Sequence, residues 1–203
     1  MSRSDNENLD IIRSSLKLCP NFPKKGITFI DVFGIFANPT AHRALIDVIL
    51  NRIKKSNTKI EAIAGLEARG FIFGPQIALE LQVPFLPVRK HGKLPGKVSA
   101  IDYDLEYGKD TIEMQMNILQ PGTKILLLDD LLATGEKLIL FFKGTLGAAQ
   151  KLCVQLGYEV VETLVIIELI GFNGRKKLKD VDHFTTLFQF AEADLEAIAA
   201  KHE

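Results

Sequence analysis

Two adjacent acids, Asp129 and Asp130, stand between an apolar run and a group of small residues, Ala133–Gly135. The apolar run, Lys124–Leu128, predicts a strand that is buried on both faces of a parallel sheet. Backbone N–H groups of a small-residue loop, together with the N-terminus of a following helix, favour a bound anion. Paired carboxylates repel a phosphate but accept hydrogen bonds from hydroxyl groups, as on a ribose. The combination therefore indicates a sugar-phosphate site rather than a site for bare phosphate or ATP.

The two best-known patterns of phosphate binding are missing from the chain. It contains neither the P-loop pattern GxxxxGK[ST] nor the dinucleotide pattern GxGxxG. Thr134 could add a hydroxyl donor to the small-residue loop. An ordinary strand-to-helix turn with solvated acids is the competing interpretation, and these residues alone leave both open.

Basic side chains concentrate in two short segments of a chain that is neutral as a whole. The 25 Lys and Arg residues balance 25 Asp and Glu residues, which argues against general binding to nucleic acids or membrane surfaces. A site for a polyanion must therefore be a local cluster. Taken alone, such a charged loop is more often a solvated surface. The basic residues are Arg69, Arg89, Lys90, His91, Lys93 and Lys97.

The length and composition favour one globular domain over residues 1–203. A chain of 203 residues with 47% hydrophobic and 25% charged residues can bury a substantial core. Cys19 and Cys153 lie far apart and predict no disulfide framework. The polar opening MSRSDNENLD resembles neither a secretory signal nor a transit peptide, and no apolar stretch is long enough to cross a bilayer. We therefore expect a cytoplasmic protein.

Alternating helical and strand patterns predict an α/β fold with a mostly parallel sheet and helices on both faces. Two segments of alternating apolar and polar residues flank Gly108–Lys109 and predict a hairpin with its turn there. Residues 191–203 predict a helix or a frayed tail. The predicted helices are Asn6–Leu16, Pro39–Ile53, Phe71–Leu81 and Leu146–Leu156, and the predicted strands are Ile27–Phe29, Ile60–Leu66, Val83–Val88, Lys124–Leu128 and Val160–Leu169.

Several motifs, in order along the chain, resemble those of a known enzyme family. LLLDDLLATG, followed later by Gly144–Thr145, is similar to the phosphoribosyl-pyrophosphate-binding motif of the type I phosphoribosyltransferases, in the form found in adenine phosphoribosyltransferases. FPKKGITFIDV, IAGLEARGFIFGPQIALEL, VRKHGKLPG, DLEYGKDTIEMQ and IIELIGFNGRKKL resemble further family segments, up to about Phe190. The resemblance implies a mostly parallel twisted sheet flanked by helices, with a small hood and a mobile β-hairpin loop.

The resemblance also implies an activity. Such enzymes transfer the phosphoribosyl group of phosphoribosyl pyrophosphate to adenine, giving AMP and pyrophosphate in purine salvage. The family implies Mg²⁺ as the cofactor and a homodimer as the assembly, with no nucleic-acid or membrane partner.

The basic cluster acquires a role from the resemblance, which places Arg69, Arg89, Lys90 and Lys93 on the pyrophosphate. A pyrophosphate leaving group needs charge-assisted donors, and arginine can supply two at once. Mg²⁺ would bridge the pyrophosphate oxygens. His91 is a bystander in the same loop.

The resemblance assigns the acid–base chemistry to Glu106 and places Tyr107 beside the ribose. Forming an N-glycosidic bond passes through an oxocarbenium-like sugar, and the incoming base must lose a proton or be hydrogen-bonded at its ring nitrogen. Asp129 and Asp130 would face the ribose hydroxyls and meet the metal only indirectly, mainly through pyrophosphate. On pattern alone, Glu106 would be a solvent-facing strand residue and Tyr107 a packing residue.

The adenine pocket should be flat and apolar, with a few backbone groups that recognise the purine edge. Phe29 and Leu169 match the family positions that sandwich adenine, and the Thr28 backbone matches one that contacts its edge. Ile30 departs from the family, in which a basic residue usually precedes the Asp of this segment. That position bears on base selection or dimer contacts. A phosphoribosyltransferase that uses a different purine is therefore one of the alternatives.

The phosphate loop departs from the family pattern more seriously. In the family the two glycines of ATGGT are adjacent, whereas here Glu136–Lys143 separates them. The segment could bulge out, so that Gly144 and Thr145 return to the phosphate site. Alternatively, ATGEK could begin a new helix, whose N-terminal amides and Lys137 replace the phosphate contacts of the family's second glycine. Both arrangements predict weaker binding of the 5′-phosphate. The phosphate ligands are then drawn from Ala133, Thr134, Gly135, Glu136, Lys137, Gly144 and Thr145.

Two classes of function remain at this stage. The first is an enzyme with measurable but reduced turnover, and the second is an inactive or regulatory member of the same fold. The segment Glu136–Lys143 favours the second class. The first is favoured by residues that a scaffold alone would not require, namely Arg69, Arg89, Lys93, Glu106, Asp129 and Asp130.

Overall fold

The computed structural model describes residues 3–105, 108–132, 145–170 and 183–201. The chain forms two compact units, of which the smaller combines Met1–Thr58 with Phe190–Glu203 and the larger is Lys59–Gln189. The single domain over residues 1–203 stays a prediction. Within the described part of the chain, no helix combines the length and apolar character that crossing a membrane requires.

The elements follow one another in an order expected of an α/β chain, and two helices of the larger unit each stand between two strands. In chain order they are α1 (Asp5–Ser15), β1 (Lys17–Pro20), β2 (Thr28–Asp31), α2 (Phe33–Ala37), α3 (Pro39–Ser56), β3 (Ala62–Leu66), α4 (Gly70–Leu81), β4 (Phe85–Lys90), β5 (Val98–Leu105), β6 (Gly108–Gln115), β7 (Lys124–Leu132), α5 (Thr145–Gln155), β8 (Glu159–Ile170), β9 (Phe184–Ala191) and α6 (Glu192–Ala200).

The smaller unit joins helices to the antiparallel pair β1–β2. A capping box starts α1, because Ser4 and Glu7 satisfy each other's backbone N–H groups. Asp5 at the start of α1 accepts hydrogen bonds from Asn51 and Lys55 of α3, at 2.8 and 2.5 Å. These contacts tie the first helix of the chain to the long helix α3.

The larger unit is built on a seven-stranded sheet with the strand order β5-β6-β4-β3-β7-β8-β9. The strands β4, β3, β7 and β8 form consecutive parallel pairs, whereas the antiparallel hairpin β5–β6 joins the sheet beside β4. Parallel neighbours need crossover connections, and α4 and α5 lie in two of them. The predicted α/β fold with a mostly parallel sheet is confirmed.

Strand register brings the chemistry-bearing segments to one edge of this sheet. Ile125–Leu128 of β7 are fully buried, as expected for a strand covered on both faces. Gly65 of β3 pairs with Leu128 of β7, and Leu66 of β3 pairs with Val88 of β4. The residues that follow these pairs therefore meet at the carboxyl edge of three neighbouring strands, where ligands gather in open α/β sheets.

The predicted hairpin is confirmed as β5–β6, but its turn does not lie at Gly108–Lys109. Gly108 and Lys109 both lie in β6, where they pair with Leu105 and Asp104 of β5. Gly108 has a φ of +133°, which explains why glycine stands there, but the position belongs to the strand. A glycine inside an alternating pattern does not distinguish a turn from the first residue of a strand.

The strand before the acid pair is longer than its apolar run predicts. β7 continues beyond Leu128 because Leu131 and Leu132 pair with Ile167 and Glu168 of β8. Asp129 and Asp130 are therefore strand residues and do not stand at the start of the loop.

Gly74→Ala is expected to destabilise the protein by about 1–3 kcal/mol, because a Cβ at Gly74 would lie 2.6 Å from Cε2 of Phe85. Gly147→Ala in α5 is the matched control: no described atom lies within 4 Å of its added Cβ, so it should gain about 0.5–1 kcal/mol from helix propensity. Urea unfolding measures both. Equal effects of the two variants would contradict the close approach of Phe85 to α4.

Candidate active site

Arg69 and Asp130 form an ion pair at the carboxyl edge of the sheet. Arg69 follows β3 at the N-cap position of α4, and its Nε lies 2.5 Å from Oδ2 of Asp130, a residue only 3% exposed. Gly70 permits this arrangement, because a Cβ there would come within 3.0 Å of the Leu128 carbonyl oxygen. The sequence prediction placed both residues in the site, and the structure brings them together as partners.

Asp129 has a different environment from its neighbour. It is half-buried, its Oδ1 accepts the backbone N–H of Asp130 at 2.9 Å, and no ion pair to it is found among the described residues. Burial raises the pKa of Asp129 well above its ordinary value of 3.8, and the charge of Asp130 adds to this effect. A carboxyl group in that position gains from any ligand that brings it hydroxyl donors or positive charge.

Arg89 is held by a carboxylate that the sequence patterns did not single out. Its Nε and Nη2 donate to the two carboxylate oxygens of Glu67 at 3.2 and 3.0 Å, and its Nη1 donates to the Lys93 carbonyl at 3.1 Å. The guanidinium carbon lies 5.9 Å from the centroid of the Phe71 ring. The hydrogen bonds from Arg89 lower the pKa of Glu67. The paired carboxylate and the carbonyl fix the fork of Arg89 before any ligand arrives.

Lys90 is held in a similar way by the hairpin. Its Nζ lies 3.1 Å from Oδ2 of Asp110, which also accepts a hydrogen bond from the Tyr103 hydroxyl at 3.1 Å. The pKa of Lys90 is raised by its hydrogen bond to Asp110. The Tyr103 side chain also hydrogen-bonds Thr145, the first residue of α5. The predicted cation Lys90 and the predicted phosphate ligand Thr145 therefore belong to one network.

Lys93 lies in the loop between β4 and β5, with its backbone held at both ends. Its N–H donates to Oε1 of Glu113 at 2.9 Å, and its carbonyl accepts from Arg89. His91 in the same loop has Nδ1 at 3.2 Å from Oε2 of Glu113. The structure thus brings Arg69, Arg89, Lys90 and Lys93 to one edge of the sheet. It adds Glu67, Asp110 and Glu113, the acids that hold Arg89, Lys90 and the Lys93 backbone.

The acids that hold these cations carried little signal in the sequence. Glu67 follows a buried strand and precedes Arg69 by two residues, which could have marked it as a site residue. Asp110 and Glu113 fall at ordinary positions of an alternating hairpin, where polar residues are expected on one face. Their role comes from strand pairing, because Glu113 lies directly opposite Arg89.

The predicted base-contacting residues are distributed between the two units. Thr28 is buried in the smaller unit and its hydroxyl donates to the Leu195 carbonyl at 2.7 Å, while Phe29 makes an edge-to-face contact with Phe22 at 5.5 Å. Leu169 is 4% exposed near the end of β8 in the larger unit. The adenine sandwich stays a prediction. Ile30 is buried in the smaller unit, so this departure from the family adds an apolar core residue.

Several predicted site residues lie outside the residues that the structure describes. They are Glu106, Tyr107, Ala133, Thr134, Gly135, Glu136, Lys137 and Gly144. Their roles in acid–base chemistry and phosphate binding therefore stay predictions.

Arg89→Lys is expected to lower kcat/KM for the pyrophosphate-bearing substrate that the resemblance predicts by about 100-fold, because one ammonium group cannot replace the three hydrogen bonds of the guanidinium fork. Arg43→Lys is the matched control, since Arg43 is an exposed residue of α3 that pairs with Asp47 one turn away. Steady-state kinetics with the second substrate saturating measure the effect. If Arg89→Lys is as active as the control variant, the guanidinium fork does not matter.

Comparison with known proteins identifies the family. Residues 34–198 match the phosphoribosyl transferase domain. An adenine phosphoribosyltransferase from Drosophila pseudoobscura pseudoobscura is 45% identical over 175 residues, covering 86% of this chain and 92% of that protein. The adenine phosphoribosyltransferase of Saccharomyces cerevisiae, solved with an imino-altritol bisphosphate and adenine, has a TM-score of 0.82 at 38% identity, covering 90% of this chain and 99% of that one. The enzyme from Trypanosoma brucei, solved with AMP, pyrophosphate and ribose-5-phosphate, has a TM-score of 0.75 at 26% identity, covering 94% and 81%.

Proposed function

This chain belongs to the phosphoribosyl transferase family, and within it to the adenine phosphoribosyltransferases; on that premise we propose that it transfers the phosphoribosyl group of phosphoribosyl pyrophosphate to adenine. The products are AMP and pyrophosphate, and the reaction salvages purines. One observation supports the proposal above all. The cations Arg69, Arg89 and Lys90 lie at the same carboxyl edge of the sheet as the acids Asp129 and Asp130. A fold without this activity would have no need to gather them.

The cations act on the leaving group. Pyrophosphate departs with its negative charge increased, so donors that are already in place stabilise the transition state more than the bound substrate. Arg89 is held by Glu67 and Lys90 by Asp110, which reduces the reorganisation needed when the substrate binds. Lys93 adds its ammonium group from the adjoining loop.

The acids act on the ribose. Asp129 accepts hydrogen bonds from the ribose hydroxyls, and Asp130 keeps Arg69 in position beside them. By family position Glu106 exchanges the proton with adenine and Tyr107 supports the positive charge that develops on the sugar ring. Thr145, together with the loop before it, contacts the 5′-phosphate.

Mg²⁺ is the proposed cofactor, and the described residues fit it only as an indirect site. They contain no group of three or more His, Cys, Asp or Glu side chains that could hold a metal ion. Mg²⁺ commonly keeps several waters and binds through one or two carboxylates plus substrate phosphates. Asp130 is already paired with Arg69, so Asp129 is the carboxylate better placed to approach such an ion. When bound, the ion neutralises charge on the pyrophosphate.

The adenine site, the assembly and the location are proposed from the family. By family position Thr28, Phe29 and Leu169 are each proposed to contact adenine, and adenine is the preferred base although Ile30 replaces a basic residue. A homodimer is the proposed assembly, and the cytoplasm is the proposed location. No nucleic-acid or membrane partner is proposed.

Formation of AMP from radiolabelled adenine tests the function directly. We expect AMP from adenine and phosphoribosyl pyrophosphate with Mg²⁺, little product when EDTA removes the ion, and weak competition by hypoxanthine or guanine. Efficient competition by another purine would indicate that this purine, and not adenine, is the preferred substrate. Absence of AMP at high enzyme and substrate concentration would instead favour the inactive or regulatory member of the fold.

A further inference from the structure

Glu113 is a buried acid to which neither the sequence patterns nor the proposed chemistry gives a role. It lies on β6, is 1% exposed and pairs across β4–β6 with Arg89. Its Oε1 accepts the backbone N–H groups of Lys93 and Leu94, each at 2.9 Å, and the N–H of Gly92 also bonds the carboxylate. Three consecutive amides of the β4–β5 loop therefore converge on one side chain.

This arrangement has the form of an anion-binding nest. Successive backbone N–H groups that point into one concavity bind anions, and a residue with left-handed backbone allows them to converge. Gly92 supplies that residue with a φ of +75°. Burial alone would raise the pKa of Glu113, but the N–H donors of Leu94, Gly92 and Lys93 outweigh it and lower the pKa. The carboxylate of Glu113 is therefore the anion that occupies this nest.

The nest connects directly to the cations of the site. The Lys93 carbonyl accepts from Nη1 of Arg89 at 3.1 Å, on the opposite side of the residue from its bond to Glu113. His91 Nδ1 approaches the second carboxylate oxygen of Glu113, and the His91 N–H is bonded to the Thr111 carbonyl at 3.0 Å. The path of the loop, and with it the starting point of the Lys93 side chain, depends on this carboxylate.

We propose that Glu113 is a positioning residue for pyrophosphate: it occupies the amide nest of residues 92–94 and so holds Lys93 and Arg89 where their side chains reach the leaving group. The inference rests on the proposed function for the identity of the ligand. It adds that the loop binds pyrophosphate through side chains, because its amides are already engaged by Glu113.

Glu113→Gln tests the proposal through the binding of pyrophosphate. A neutral amide accepts the three N–H groups less strongly than a carboxylate, so the Kd of magnesium pyrophosphate, by calorimetry, should rise about tenfold. The KM for phosphoribosyl pyrophosphate should rise by a similar factor, with the KM for adenine and kcat changing less than about twofold. A merely structural role would not separate the two substrates in this way.

Tryptic cleavage of the native protein reports on the loop itself. Lys90, Lys93 and Lys97 are potential cleavage sites in and beside the loop, and Glu113→Gln should accelerate cleavage there about tenfold. Glu162→Gln is the matched control: Glu162 is also a 1% exposed strand acid, but its bond is with Thr185 at 2.9 Å, away from the loop. It should leave cleavage and pyrophosphate affinity unchanged.

Gly92→Ala provides a second variant in case Glu113→Gln does not fold. No described atom lies within 4 Å of a Cβ at Gly92, so only the left-handed backbone opposes it, and we expect about a fivefold weaker pyrophosphate Kd. Faster cleavage with unchanged pyrophosphate affinity would overturn the proposal, and so would unchanged cleavage. A wild-type chain that binds pyrophosphate but makes no AMP would instead count against the proposed function alone, since calorimetry and proteolysis still test Glu113.

Discussion

A chain that lacks Glu136–Lys143 is expected to use phosphoribosyl pyrophosphate about 100-fold more efficiently, as kcat/KM, than the full chain. The structure ends β7 at Leu132 and begins α5 at Thr145, so twelve residues, 133–144, connect them. Eight of the twelve are Glu136–Lys143. Their removal leaves four residues, within the usual length of a loop between a strand and a helix. It also makes Gly135 and Gly144 adjacent, so that consecutive N–H groups can wrap one phosphate.

A replacement of Glu136–Lys143 by eight glycine and serine residues separates length from side-chain chemistry. If loop length weakens phosphate binding, this variant should be as inefficient as the full chain. If the negative charge of Glu136 or the apolar run is responsible, the replacement should recover much of the activity. Steady-state kinetics with varied phosphoribosyl pyrophosphate measure all three proteins. Equal efficiency of the full and shortened chains would show that the segment does not disturb the 5′-phosphate site.

The α/β fold could be predicted from the sequence because its core strands have strong patterns. Ile125–Leu128 is a continuous apolar run, and α3 and α4 follow the expected helical spacing, so the type and order of these elements were found. β1 and α2, with four and five residues, are too short to show a period. The full length of β7 could not be predicted either, since pairing with β8 carries it through two acids that an isolated strand would disfavour.

The members of the site were predicted better than their partners. Basic residues in a neutral chain, together with the family motifs, identified Arg69, Arg89 and Lys90. Of the carboxylates that hold the last two, Glu67 could have been marked by its place after a buried strand. Asp110 could not be found by spacing, because the pairing of β6 with β4 brings it to Lys90. A pattern identifies residue types along one segment, whereas the ion pairs depend on which strands become neighbours.

Asp129 and Asp130 are neighbours in sequence, but neutralising them is expected to change stability in opposite directions. Asp130→Asn should lower the free energy of unfolding by about 3 kcal/mol, because it leaves the largely buried Arg69 facing a neutral amide. Asp129→Asn should raise the free energy of unfolding at pH 7. Burial and the charge of Asp130 disfavour the ionised form of Asp129 in the folded chain, and an amide of the same shape cannot ionise.

The pH dependence distinguishes this cause from a general effect of substitution. The folded-state pKa of Asp129 is raised above its ordinary value of 3.8, so on raising the pH the unfolded chain releases this proton first. The wild type therefore loses stability from about pH 4 up to the folded-state pKa, and Asp129→Asn does not share this loss. Below about pH 3.8 both states of the wild type are protonated at this group, and the advantage of the variant should disappear.

Urea unfolding of the wild type and both variants at pH 7 and pH 3.5 measures these differences, and kinetics show what the charge does for catalysis. Asp129→Asn should be the more stable protein at pH 7 and still lose about 100-fold in kcat/KM, because an amide is a weaker acceptor for the ribose hydroxyls than a carboxylate. Asp129 would then lower stability and raise activity, as expected for an acid whose charge is unfavourable until a ligand binds. A destabilised Asp129→Asn variant at pH 7 would show that Asp129 is an ordinary structural acid, and full activity would remove it from the site.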